Sequence, residues 1–173
     1  MTVTSSSMTI NAKGVSTSDV SDNEDATSTI AAGSNWNATV GTGSGQVDLV
    51  YSASGQIADG VPLDIDLSNL TDAFGAALAF LKVKAIFIRN LSTVNSLNVG
   101  NAALEAFEGW ISAGGTVKVE KAGSGIAGVF VIQAPTDGYP VVADTSDLLR
   151  LTNNADGDTT DVDYEIVIQG TSV

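Results

Sequence analysis

Short runs of alternating apolar and polar residues recur along the chain and predict β-strands. In the segment VPLDIDL, the residues Leu63, Ile65 and Leu67 alternate with aspartates, which is the period-two pattern of a half-buried strand. Residues 162–169 repeat this pattern, whereas residues 126–134 form an apolar run typical of a strand buried on both faces. Polar, glycine-containing turns separate such segments, and about nine or ten strands are predicted in all.

The longest apolar stretch, residues 81–91, predicts the central strand of the fold. Its first half alternates Lys82 and Lys84 with apolar residues, and beyond Ala85 both faces become apolar. This pattern predicts a strand that begins at a solvent-exposed rim and continues through a packed core. The following segment, residues 90–99, predicts a turn and a second short strand that folds back onto the first.

Two segments change from a period of two to the spacing of a helix. Phe74 lies in the first pattern, residues 69–81, and Leu104 and Phe107 share a face in the second, residues 101–114. Residues suited to capping a helix precede each segment, and a Gly-Gly pair ends the second. Two short helices are therefore predicted, each covering an open edge of the strand assembly.

Two glycine-rich segments predict hairpin turns. Residues 41–45, GTGSG, separate strand patterns at 36–40 and 46–53 and predict an antiparallel hairpin. Residues 123–128, GSGIAG, match the spacing of a dinucleotide-binding loop. A strand pattern follows that match instead of a helix, so no helix N-terminus is expected to face a pyrophosphate. The second segment is therefore also interpreted as a turn.

The N-terminal region differs in composition from the rest of the chain. Residues 1–33 contain many Ser, Thr and Asp residues, weak strand character at 8–12 and an acidic patch at 18–25. Such an arm buries little surface by itself and is either mobile or ordered by a partner; both options stay open. The predicted fold is all-β: an antiparallel, jelly-roll-like β-sandwich over residues 34–173, with one or two short helices and an extended N-terminal arm.

The composition and net charge of the chain exclude some classes of binding partner. The 173 residues fit one domain, and 16% of them are charged against about 25% in an average protein. A formal net charge of −13 repels phosphate backbones and anionic lipid, so no direct binding to nucleic acid or membrane is predicted. No apolar run approaches the ~20 residues of a membrane-spanning helix.

The residue types available also limit catalysis. The chain has no His and no Cys, which removes the commonest general base and the commonest metal ligands. A Ser–Lys arrangement using Lys82 or Lys84 remains, as does a carboxylate pair for glycan cleavage at Asp64 and Asp66, about 6–7 Å apart on one strand face. A solvated strand face explains those aspartates equally well, so the chain is predicted not to be an enzyme and to need no cofactor.

One acidic loop is a weak candidate for binding Ca²⁺. Residues 153–163, NNADGDTTDVD, bring Asp156, Asp158, Asp161 and Asp163 close together around a glycine. Carboxylate oxygens suit Ca²⁺, but the spacing is not that of an EF-hand. A solvated turn is the preferred interpretation, so no metal site is assigned and Asp156, Asp158 and Asp161 stand as the calcium candidates.

Four segments carry a family resemblance over about the last 107 residues. They are LSNLTDAFGAALAFLKVKAIFIRNLS, NSLNVGNA, VKVEKAGSGIAGVFVIQAPTDGYPVVADTSDLLRLTN and VDYEIVIQG. In these segments the chain resembles a family of small structural proteins encoded in tailed-bacteriophage genomes. The resemblance implies a virion component built as a β-sandwich. Its motifs are signatures of a fold, so no catalytic or binding residue carries over.

The resemblance favours a capsid decoration or cement protein that braces the head shell. Such a protein is expected on the capsid surface of the virion after synthesis in the bacterial cytoplasm, bound to the major capsid protein and to copies of itself, as a homotrimer. The alternative is a tail, head-fibre or receptor-binding module that recognises a host surface glycan. That alternative needs exposed aromatic residues, for which the candidates are Trp36, Tyr51, Trp110 and Tyr139.

Overall fold

The protein is represented by a computed structural model, which describes residues 6–18, 26–72, 74–102, 104–156 and 158–173, with side chains from Trp36 onward. This part of the chain is all-β and contains no helix, hence none that could cross a membrane. The strands are β1 (Ser6–Ser18), β2 (Ala26–Val40), β3 (Gln46–Val47), β4 (Leu49–Ile57), β5 (Leu63–Asp66), β6 (Leu70–Thr71), β7 (Ala77–Leu78), β8 (Lys82–Asn90), β9 (Leu97–Gly100), β10 (Thr116–Val119), β11 (Gly128–Gln133), β12 (Tyr139–Pro140), β13 (Leu148–Asn153) and β14 (Val162–Thr171).

Eight of these strands form two antiparallel sheets with jelly-roll topology. Sheet I has the order β4–β14–β8–β11, with the short β12 also paired to β8, and sheet II has the order β5–β13–β9–β10. Numbered one to eight along the chain, the eight strands give the orders 1-8-3-6 and 2-7-4-5, which are those of a jelly roll. The predicted jelly-roll sandwich is confirmed. The predicted hairpin of β8 with β9 is wrong, because the turn between them carries the chain from sheet I to sheet II.

One hydrophobic core lies between the two sheets. Alternate residues of each strand enter it, as predicted for β14, whose four alternating apolar residues from Val162 to Ile168 are all buried. In β5, Ile65 is buried and Asp64 is exposed, again as the alternation predicts. The main side chains of this core are Ile65, Leu67, Phe80, Val83, Ile86, Ile88, Leu97, Val99, Phe107, Leu149, Leu151, Ile166 and Ile168.

A β-bulge in β8 changes which face its residues occupy. Where β8 pairs with β14, Ala85 and Val83 lie opposite two consecutive residues of β14. Lys84, which lies between them in β8, is therefore an extra residue in the ladder. Val83 and Ile86 therefore both belong to the central core, whereas Ala85 belongs to a second cluster outside it. The simple alternation predicted for the start of this strand is wrong because the inserted residue shifts the pattern by one.

Residues 69–81, predicted to be a helix, form the short hairpin of β6 and β7 instead. Leu70 lies opposite Leu78 in this hairpin, and Gly75 in the turn has φ of 86°, which an α-helix does not allow. Leu70 and Leu78 are eight residues apart, a separation at which a helix also places residues on one face. The apolar spacing alone therefore could not distinguish the two structures. Phe74, expected to face inward, is 83% exposed.

The second predicted helix, residues 101–114, is also wrong. Asn101 and Glu105 have φ of 59° and 58°, in the left-handed region, so the chain leaves helical geometry at both positions. The segment crosses one end of the sandwich as an irregular loop. Phe107 is buried as expected, at 1% exposure, but Leu104 is 77% exposed.

The predicted N-terminal arm is a two-stranded ribbon. All thirteen residues of β1, including the predicted strand 8–12, pair with β2 in antiparallel register. The expected boundary after residue 33 lies inside β2. β2 also pairs with β3, but in parallel, so the predicted antiparallel hairpin across residues 41–45 is wrong. The loop curls onto itself instead, with the backbone N of Gln46 donating to the carbonyl O of Gly43 at 3.1 Å. Most of the acidic patch at 18–25 lies outside the described residues.

Candidate functional site

The two aspartates of β5 form hydrogen bonds with different residues. The carboxylate of Asp64 accepts two hydrogen bonds of 2.6 Å from Arg150 on β13, one from Nε and one from a terminal guanidinium nitrogen. These bonds raise the pKa of Arg150. Asp66 instead accepts hydrogen bonds from the backbone N and the hydroxyl of Ser68, at 3.0 and 2.8 Å. Both carboxylates thus have structural partners, and the structure does not pair them across a substrate cleft.

The calcium candidates of the acidic loop also have protein partners. Asp156 accepts hydrogen bonds from the hydroxyl and the backbone N of Ser96, at 2.6 and 2.8 Å, and these hold its pKa well below the usual range. Asp158 accepts from the hydroxyl and the backbone N of Thr160, which also lowers its pKa. Asp161 is exposed. No group of three or more acidic residues suited to a metal occurs in the described part of the chain, so calcium here stays a prediction.

The two lysines of β8 have different surroundings. Lys82 is exposed, whereas Lys84, the bulged residue, is 1% exposed, and its ammonium group donates a hydrogen bond to the carbonyl O of Gly43. Burial lowers the pKa of Lys84. This lysine therefore ties the 41–45 loop to the outer face of sheet I, and its recorded hydrogen bond leads to a backbone carbonyl rather than to a serine hydroxyl.

The glycine-rich motif at residues 123–128 is a hairpin turn, as predicted. Gly123 and Ile126 exchange two backbone hydrogen bonds of 2.9 Å between the ends of β10 and β11. Ser124 and Gly125 both have positive φ, 52° and 77°, as in a two-residue type I′ turn. The motif therefore serves the strand connection.

The aromatic residues proposed for glycan recognition are buried or partly buried. Trp36 is buried, and Tyr51, Trp110 and Tyr139 are partly buried against the core. The ring of Trp110 lies 5.1 Å from that of Phe130 in a tilted arrangement. Across the described side chains, one aromatic residue is classed as exposed, and it is none of these four.

That exposed aromatic residue is Phe74, at the tip of the β6–β7 hairpin. The backbone N atoms of Phe74 and Ala76 each donate a 2.8 Å hydrogen bond to Oδ1 of Asp72. The bond from Ala76 is the main reason why the pKa of Asp72 is lowered. These hydrogen bonds brace the turn that presents the Phe74 ring to solvent. The letters DAFG carry a turn signal that could have indicated this exposure.

Other exposed apolar residues lie at the same end of the sandwich. We define the apolar end as Phe74, Leu81, Leu104, Val142 and Val173, which are 50–83% exposed. They belong to the loops that follow β5, β9 and β11 and to the segment after β14. Antiparallel pairing brings these segments together, and backbone hydrogen bonds of 2.8 and 2.9 Å join the Leu81 segment to Thr171 and Val141.

The ribbon of β1 and β2 is the second exposed feature. At its base, Trp36 and Ala38 form a buried cluster with Val47 and Ala85 on the outer face of sheet I. The register of the ladder pairs Met8 of β1 with Trp36 at this base. At about 3.4 Å per residue, thirteen pairs extend over roughly 40 Å. β1 is an edge strand along this whole length.

Comparisons with models of protein families, with curated proteins and with solved structures found no match. The function must therefore be argued from the surface features of this chain. Among the described residues these are an edge-exposed ribbon and an apolar end, both of which suit protein contacts.

Proposed function

We propose that this protein is a decoration protein of a tailed-bacteriophage head. It would bind the major capsid protein and copies of itself, as a homotrimer, on the capsid surface of the virion. The resemblance of residues 67–173 to small phage structural proteins supports this function. A two-sheet jelly roll is an architecture that viral capsid proteins share with lectins and cupins, and by itself it does not select one function.

The ribbon is the observation that carries the proposal. A two-stranded ribbon is at best marginally stable in water, yet β1 pairs with β2 over thirteen residues and, in the described chain, with no other strand. Contact with a neighbouring subunit would cover its free edge and contribute the missing stability. A long ribbon of this kind suits a protein that reaches across a lattice of repeated subunits.

The apolar end and the charge agree with a protein partner. Five of the nine exposed large apolar side chains of the described residues lie at this end, and such a grouping favours association with another protein surface. The net charge of −13 opposes contact with packaged nucleic acid. Repetition of a modest contact over many lattice positions gives high total avidity, so no deep binding pocket is needed.

The first experiment is to count copies per virion. Quantitative mass spectrometry of purified particles of the phage that encodes the chain would give its ratio to the major capsid protein. Hundreds of copies are expected for a decoration protein. A dozen or fewer would favour the alternative, a tail, head-fibre or receptor-binding module, and absence from particles would refute a virion role.

The second experiment tests which surface binds the head. Purified protein is added to heads that lack it, and the bound amount and the temperature at which heads release DNA are measured. Removal of residues 1–33 and Phe74→Ser are each expected to reduce binding at least tenfold. Ile126→Ser is the matched control, because Ile126 is 75% exposed in the loop between β10 and β11, at the opposite end. Equal binding by all variants would contradict the proposed contact surface.

A further inference from the structure

Two aspartates and one serine meet where β5 and β13 lie side by side. Asp66 is the last residue of β5, Ser68 follows two positions later, and Asp147 immediately precedes β13. The sheet register places Asp66 opposite Leu148, and the backbone N of Leu67 donates to the carbonyl O of Asp147 at 2.8 Å. Backbone pairing therefore brings the three residues close together.

The hydroxyl of Ser68 faces two carboxylates at once. Its Oγ lies 2.8 Å from Oδ1 of Asp66 and 2.8 Å from Oδ2 of Asp147. A hydroxyl has one hydrogen, so it donates to only one of these oxygens. The other short contact joins two oxygen atoms that both carry lone pairs. The two carboxylate oxygens are at most about twice that distance apart, so like charges also lie close together.

The surroundings of Asp147 give an independent indication that a ligand belongs there. Asp147 is only 3% exposed. Its Oδ2, which faces Ser68, also accepts a 3.0 Å hydrogen bond from the backbone N of Asp144, whereas its Oδ1 is buried without a hydrogen-bond partner in the described structure. Neither Asp66 nor Asp147 forms a salt bridge within the described residues. Buried carboxylate oxygens normally have partners, because leaving them without one is costly.

We propose that Asp66, Ser68 and Asp147 bind a divalent cation, with Ca²⁺ as the best-suited ion. Ca²⁺ accepts carboxylate, hydroxyl and water oxygens in an irregular shell, and these are the ligand types that this site provides. A cation gives both carboxylates a positive partner, and it lets the Ser68 hydrogen turn away while its oxygen serves as a ligand. The site lies at the opposite end of the sandwich from Asp156, Asp158 and Asp161. It joins the loop that follows β5 to the loop that precedes β13, and both of these loops contribute residues to the apolar end.

Equilibrium dialysis with Ca²⁺ and calorimetry of the full chain, in EDTA and in CaCl₂, test the site. One Ca²⁺ per chain is expected, and at a hundredfold excess over Kd the Tm should rise by about 5–10 °C. Asp147→Asn should abolish both effects while raising the Tm in EDTA, since it removes the like-charge contact. Ser68→Ala should weaken binding at least tenfold. Asp163→Asn is the control, because it removes an equal charge at an exposed position of β14 and should leave binding unchanged.

Two results would overturn the proposal. One is retention of the calcium effect in Asp147→Asn. The other is a wild-type Tm that does not change when Ca²⁺ is added. If Asp147→Asn does not fold, dialysis with Asp66→Asn decides the matter, since unchanged binding by that variant would also refute the site.

Discussion

Replacing each of two phenylalanines by alanine tests how the loops of this protein are built. Phe74 and Phe107 lie in the two segments whose apolar spacing predicted helices, and both were expected to face the core. Phe107 is 1% exposed, whereas Phe74 is 83% exposed. The structure therefore predicts very different costs for the same chemical change.

The expected magnitude follows from burial and ring contact. Phe107→Ala removes a core side chain, a change that costs about 3–5 kcal/mol of unfolding free energy. Part of that cost is the edge-to-face contact of Phe107 with Tyr139, whose ring centroids are 6.5 Å apart at 85°, a type worth about 0.5–1.5 kcal/mol. Phe74→Ala removes a solvated ring, and its cost should stay within about 0.5 kcal/mol.

Urea unfolding followed by circular dichroism measures both values. It should be carried out at several low protein concentrations, so that any association through Phe74 does not add to the measured stability. The slope with urea should be the same in both variants, and only the midpoint of Phe107→Ala should fall clearly. Equal losses in the two variants, or a larger loss for Phe74→Ala, would refute the loop structure described above.

Three further predictions concern single polar groups. Asn90→Ala should cost about 2–4 kcal/mol in urea unfolding, because this buried amide bonds backbone groups in the loop after β8 and at the end of β10, and a stability within 1 kcal/mol of wild type would contradict that role. Burial lowers the pKa of Lys84, so the unfolded chain binds more protons between the lowered value and 10.5. The stability of the wild type relative to Lys84→Met should therefore rise as pH approaches 10.5. A difference in stability between the two proteins that does not change with pH would exclude this linkage. The Ser96 hydrogen bonds lower the pKa of Asp156, so their contribution is present above about pH 4 and is lost at lower pH; the stability gap between wild type and Asp156→Asn should close on acidification from pH 5 to 2, and a constant gap would argue against it.

The strand pattern predicted the sandwich well, but the same kind of pattern misled at the loops. In β14 and β5, alternation every two residues reports one buried face, and no helix gives that period. In residues 69–81, the separation of Leu70 and Leu78 suits both a helix and a hairpin, so only the turn residues Asp72 and Gly75 distinguish them. The bulge at Lys84 was unpredictable from β8 alone, because it depends on the register of β14.

For the candidate contact surfaces too, the sequence predicted one part and the tertiary structure decided the rest. The sequence indicated an N-terminal segment poor in core residues, but it did not indicate that β1 and β2 pair with each other over thirteen residues. The calcium site proposed at Asp66, Ser68 and Asp147 had no signal in local spacing, since 79 residues separate its serine from its second aspartate. In the acidic loop at residues 153–163, which had such a signal, Asp156 and Asp158 instead accept hydrogen bonds from loop residues, namely Ser96, Asn154 and Thr160.

The sequence by itself determined the all-β class, the position of most core strands and the strongly acidic character of this protein. These properties depend on local alternation of apolar residues and on composition, both of which are visible along the chain. Tertiary structure alone decided which loops expose apolar side chains, where the bulge falls and which carboxylates meet. Those features depend on the register between strands distant in sequence, and that register is fixed only when the two sheets close over a common core.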